Sequence, residues 1–174
     1  MNKIFTLLKK EIFPISLILI LVFSRVIPHP PNFTPVIAVG IMSGYLFKNI
    51  YISITTVFIS MLLADAFIGF HENMFFVYLS LLSIAFVFYK IRKKINYKNL
   101  LFFSFFGSVF FFIISNFGVW ILGNLYERNI NGLIECYFMA IPFFKNTLIS
   151  TLIFSYATFL TSYFHIKKLS FKLD

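Results

Sequence analysis

Eight residues place a charged, hydrogen-bonding or stacking side chain near one end of an apolar run: Arg25, His29, Asn32, Asp65, His71, Asn116, Trp120 and Tyr137. Together they have the chemistry to hold a small polar molecule. Arg25 would pair with an anionic group or with Asp65. Asn116 would fix orientation with an amide that both donates and accepts. Trp120 and Tyr137 would stack on a planar ring. Each also has a plainer use. Asp65 can pair with Arg25 or cap a neighbouring helix. Asn116 can bond between helices, and Trp120, Tyr126 and Tyr137 fit an interfacial aromatic belt. His29 and His71 read equally well as solvated loop residues. Metal chemistry has little support. His29, Asp65, His71 and Glu72 are ligand types, but no His-x-x-x-His spacing joins them, and His71 and Glu72 are adjacent. The expectation is no metal, no cofactor and no catalytic residue, because no serine or cysteine sits in a recognisable nucleophile setting.

The elements that must position these residues are apolar helices. The 174 residues are 60% hydrophobic, against about 45–50% in ordinary soluble domains. A chain of this length cannot bury so much apolar surface in water, so it reads as one polytopic membrane domain covering 1–174. Cys136 is the only cysteine, which excludes an intrachain disulfide. A bilayer core about 30 Å thick needs roughly 20 apolar residues per helix. The apolar runs are 12–27, 35–47, 50–70, 74–91, 100–122 and 143–164. The second rises only about 20 Å and could fuse with the third. Charge decides against that. With six spans and an inside N-terminus, 12 of the 15 lysines and arginines fall on the cytoplasmic side, dominated by KIRKKINYK after the fourth run. Fusion would put that run opposite the N-terminal lysines, against the positive-inside rule. The expected fold is therefore all-α with six transmembrane helices and both termini cytoplasmic. The net charge of +9 then reports topology and affinity for anionic lipid. No phosphate loop or nucleic-acid motif accompanies it.

The outer ends carry the unusual residues. RVIPHPPNFTP, 25–35, joins the first two runs and holds Arg25, His29, Asn32 and four prolines. Proline restricts its own φ and the residue before it, so this segment reads as a stiff strap. Thr34-Pro35 reads as a helix start, with Thr as N-cap and Pro in the first helical position. Asp65 lies roughly 8 Å below its span end, a depth at which polar residues face a bundle interior or cavity. Gly40 and Gly44 form a small-xxx-small face suited to close packing. Residues 133–164 would make a helix of about 48 Å, too long for one span. Pro142 is the expected break, leaving a short interfacial helix at 133–141.

Four strings, RVIPHPPNFTPVIAVGIMSG, LLADAFIGFHENMFFVY, FFIISNFGVWI and NGLIECYFMAIPFFKNTL, resemble a family of small uncharacterised bacterial integral membrane proteins. Through that family the chain resembles the substrate-binding S components of energy-coupling-factor (ECF) vitamin transporters. The resemblance implies a six-helix bundle with an outward-facing pocket. It implies vitamin-like uptake, with a coupling subunit and two ATPases as partners, since the chain has no ATP site of its own. One departure weakens the coupling. S components carry an Ala-x-x-x-Ala face on the first helix, whereas the first run here reads FPISLILILVFS. Gly40-x-x-x-Gly44 could replace it. The alternatives are a structural or assembly membrane protein, whose polar residues satisfy one another, and a membrane enzyme.

Overall fold

The computed structural model describes residues 3–170, with side chains from 12 to 164. Lys3, Lys9, Lys10, Lys167, Lys168 and Lys172, which help set the expected orientation, have side chains outside that range. Six helices follow in order: α1 (Lys3–Phe23), α2 (Val36–Leu46), α3 (Ile50–Ile68), α4 (Met74–Ile91), α5 (Leu100–Leu122) and α6 (Ile130–Ser170). Short 3-10 turns follow α1 (Ser24–Val26) and α4 (Arg92–Lys94). No strand occurs among the described residues, so the fold is all-α.

Among the residues with described side chains, four helices, α3 to α6, are long and apolar enough to cross a bilayer; α1 contributes the described apolar stretch Ile12–Val26, and α2 is short. The 11 residues of α2 rise only about 17 Å, roughly half the hydrocarbon thickness. The six expected helices are present, and the second is the short one, as its apolar run implied. A helix that short survives because it does not meet lipid. Val36 through Gly44 are all buried, and α2 touches all five other helices, α4 most extensively. Gly40 and Gly44 face α4. A Cβ at Gly44 would lie 2.5 Å from the Ala85 carbonyl oxygen and 2.7 Å from the Tyr89 nitrogen. The small-xxx-small face thus forms an internal seam and is not free to dock a partner.

The bundle is apolar outside and partly polar inside. Phe67, Phe75, Phe102 and Phe106 are exposed, while Ser104, Ser108, Ser150, Thr151, Ser155 and Ser162 are buried. Small hydroxyl residues let helices approach closely where lipid supplies no hydrophobic drive between them. Several return their hydroxyl to their own helix, as Thr151 does to the Thr147 carbonyl at 2.7 Å.

Cross-helix bonds order the two poles. Asn73 at the start of α4 reaches Ser115 late in α5, and Asn146 in α6 reaches the strap at Pro31. At the other pole, Tyr89 reaches Lys48 and Tyr156 reaches Tyr97. Lys48, Lys90, Arg92, Lys93, Lys94 and Lys98 lie around that second pole.

α6 is one helix of 41 residues running through Pro142, which corrects the expected break and the separate helix 133–141. Proline removes one backbone bond at a cost of about 3 kcal/mol, but packing on α5 continues on both sides of it. Before Pro142, Tyr137 Oη donates to the Ile113 carbonyl at 2.6 Å and Cys136 Sγ lies 3.5 Å from the Asn116 carbonyl. After it, Phe144 packs on Phe112. Swinging the first turns of α6 into the membrane interface would break these contacts.

Candidate functional site

Three helix ends meet around Asp65. It sits one turn before the end of α3, fully buried. The 3-10 turn after α1 delivers Arg25, whose Nη1 lies 2.9 Å from Asp65 Oδ1. Tyr78, early in α4, donates its hydroxyl to Asp65 Oδ2 at 2.7 Å. Arg25 Nη1 also lies 3.5 Å from Met61 Sδ. A buried carboxylate costs several kcal/mol in desolvation unless paired and hydrogen-bonded; here one oxygen has a cation and the other a hydroxyl. The α3 helix stops just beyond, at Gly69 with φ +112°, a value that glycine adopts without penalty.

Above this pair the strap turns back over the bundle. The Phe33 amide donates to the Pro30 carbonyl at 3.0 Å, closing a β-turn with Pro31 second and Asn32 third. Asn32 has φ +58°, the left-handed region that a type II turn needs and that asparagine tolerates. Asn146 Nδ2 donates to the Pro31 carbonyl at 3.0 Å, and Phe33 packs edge-on against Phe154. The strap is therefore tied to α6 at two points.

Under it lies a cavity of about 260 Å³. Eight of its twelve lining residues are polar: Arg25, Asn32, Thr34, His71, Asn73, Ser115, Asn116 and Thr147, with Val36, Val77, Phe111 and Val119 completing the wall. No carboxylate is among them. A smaller recess of about 60 Å³ shares Asn32, Ser115, Asn116 and Thr147 and extends to Ala140 and Phe143, beside Pro142. Asn116 Nδ2 donates back to the Phe112 carbonyl at 2.8 Å, which leaves its carbonyl oxygen for another partner.

The structure brings four of the eight sequence candidates together on this wall: Arg25, Asn32, His71 and Asn116. Asp65 stands behind Arg25 and holds it. Three lie elsewhere. His29 is exposed, with Nδ1 3.0 Å from the Pro30 carbonyl oxygen. Trp120 Nε1 donates to the Glu127 carbonyl at 2.9 Å, fastening the end of α5 to the next loop. Tyr137 bonds to Ile113. Neither member of the expected stacking pair lines the cavity, whose aromatic wall is Phe111. Among the described residues no group of three or more His, Cys, Asp or Glu could hold a metal ion.

Sequence reasoning missed Asn73, Ser115 and Thr147 and gave Thr34 another job. α2 begins at Val36 with Pro35 as N-cap and no side-chain capping bond, so Thr34 is left on the cavity wall. Asn73 precedes α4 and looks like a cap, yet its Nδ2 donates to the Ser115 carbonyl at 3.0 Å. Ser115 and Thr147 directly neighbour the polar residues Asn116 and Asn146, which was the available signal.

No curated protein and no solved structure matches the chain. Residues 5–172 match the family described as Family of unknown function (DUF6580), and the chain, a helical protein with membrane-spanning character, belongs to that family.

Proposed function

We propose that the protein captures a small metabolite from the outer side of a bacterial inner membrane and passes it inward, in the manner of an ECF transporter S component. The observation that supports this reading most is the mainly polar cavity in a chain that is 60% hydrophobic. Polar groups at membrane depth are expensive and gather where they serve a bound polar species or one another. The volume of about 260 Å³ lies below the 300–1,000 Å³ usual for drug-sized ligands, which favours a compact solute. Active uptake would require partner subunits that hydrolyse ATP. With Gly40 and Gly44 enclosed against α4, such partners would have to dock on another face.

The structural rival is favoured by one observation, the Asp65–Arg25–Tyr78 group, whose charged and hydroxyl groups pair with one another. Native mass spectrometry of the full chain, released from a mild detergent, separates the two. Capture predicts a co-purified small molecule whose occupancy falls when Thr147→Phe fills the cavity. A protein that emerges empty, with no thermal shift across a panel of vitamins, counts for the structural rival and against capture.

A further inference from the structure

An apolar groove between α4 and α5 ends at a cluster of exposed cations. The groove holds about 330 Å³, and nine of its ten lining residues are apolar, Ser83 being the exception. Its floor is Ile84 and Phe88, 3% and 5% exposed; its walls are Val87 and Phe106, 50% and 51% exposed. Phe88 meets Phe103 edge-on, with ring centres 5.5 Å apart, which closes the floor between the two helices. From Ser83 to Ile91 along α4 the groove runs about 12 Å. That is close to the depth of one leaflet, half of a hydrocarbon core about 30 Å thick. Its Ile91 and Phe102 end lies directly at the loop that joins α4 to α5.

That loop is held from within. The Asn96 amide donates to Asn99 Oδ1 at 2.8 Å, and the Asn99 amide donates to Asn96 Oδ1 at 3.1 Å. Ile95 is buried, and Tyr156 of α6 donates to the Tyr97 carbonyl at 3.0 Å. On this fixed backbone Lys93, Lys94 and Lys98 are exposed. Their ammonium groups have no ion-pair partner among the described residues. No aspartate or glutamate occurs from 73 to 126, so no acid on α4, α5 or their loop offsets the three charges. Both helices are long enough to cross a bilayer, which places the loop at the level of the headgroups.

We propose that this face binds an anionic phospholipid, with one acyl chain in the α4–α5 groove and the phosphate among Lys93, Lys94 and Lys98. A hydrocarbon chain matches a groove that is apolar, open to the bilayer and one leaflet deep; left empty, its walls forfeit dispersion contacts. The lysines supply the selection, because basic residues at the membrane surface favour lipids with net negative charge. The groove shares no residue with the polar cavity, so the inference is independent of solute capture.

The test uses the full chain in phosphatidylcholine nanodiscs that carry a small share of photoreactive lipid, either phosphatidylglycerol or phosphatidylcholine, with the reactive group in the acyl chain. Peptide mass spectrometry maps the cross-links. The expected result is labelling of 83–91 and 102–110 that is at least about tenfold stronger with phosphatidylglycerol. Replacing Lys93, Lys94 and Lys98 by Gln should weaken phosphatidylglycerol labelling about fivefold per lysine and leave phosphatidylcholine labelling unchanged. Val87→Trp fills the groove and should reduce labelling there by either lipid, whereas Phe67→Trp, on the exposed surface of α3, should not. Equal labelling by the two lipids means ordinary bilayer contact and overturns the site. A groove that stays unlabelled while the chain runs as a dimer belongs to a second copy, which also overturns it. Comparing the two lipids on the unaltered chain needs no variant, so it decides the matter even if a substituted chain does not fold.

Discussion

The two ends of α2 are treated oppositely. Just past its C-terminal end, two carbonyls are closed by the protein itself. Arg92 donates to the Phe47 carbonyl and Tyr89 to the Lys48 carbonyl, and the Arg92 guanidinium lies 4.6 Å from the Tyr89 ring centre. A cation there also opposes the negative end of the helix dipole. At the N-terminal end no side chain caps the helix, and Thr34 and Val36 line the polar cavity. One end of this short helix is therefore closed over by protein side chains. The other end borders the cavity in which the proposed solute would sit.

This contrast can be broken most severely at Asp65. Asp65→Ala removes the partner of a nearly buried guanidinium and should cost about 3–5 kcal/mol, as a drop in thermal unfolding in detergent. A loss under about 1 kcal/mol, typical of surface pairs, would mean that the group is solvated and does not hold Arg25. At the closed end, Gly44→Ala forces a methyl into the Ala85 and Tyr89 backbone; the expected cost is about 1–3 kcal/mol. Gly107→Ala is the control, because its nearest neighbour is the flexible Ile41 side-chain tip at 3.1 Å, and it should cost clearly less than Gly44→Ala in the same melt. In the strap, Asn32→Ala should lose about 1–2 kcal/mol from its left-handed backbone, whereas Asn32→Gly should keep stability and lose only the amide on the cavity. Equal melting of the two variants would remove the turn from the account. The smallest effect is expected at Tyr137→Phe, about 0.5–1.5 kcal/mol for its bond to Ile113, with unchanged occupancy of any bound solute. If occupancy falls instead, Tyr137 belongs to the pocket and the assignment of the aromatic wall to Phe111 is wrong.

Much of the helix plan was legible because apolar run length and proline position are local signals. The expected runs 74–91 and 100–122 coincide with α4 and α5, and α2 was recognised as short. Pro142 misled because a proline's effect depends on what its helix packs against, and α5 holds both halves of α6 in one line. The polar residues of the cavity wall were half legible. Arg25, Asn32, His71 and Asn116 stand out by type at the ends of apolar runs. Trp120 and Tyr137 stand out equally, yet bond to Glu127 and Ile113, a choice set by the rotational position of each helix.

By itself the sequence determined an all-α, membrane-type chain, because 60% hydrophobic residues in 174 exceed what a water-soluble core of that size can hide. It also determined a stiff strap, because proline fixes φ whatever surrounds it. Only the tertiary structure decided that α2 is sheathed by the other five helices, that Asp65 is spent on holding Arg25, and that Thr34 and Val36 at the start of α2 line a polar cavity. Those outcomes depend on which faces of helices far apart in sequence meet, and on how closely glycine at 40 and 44 lets α4 approach.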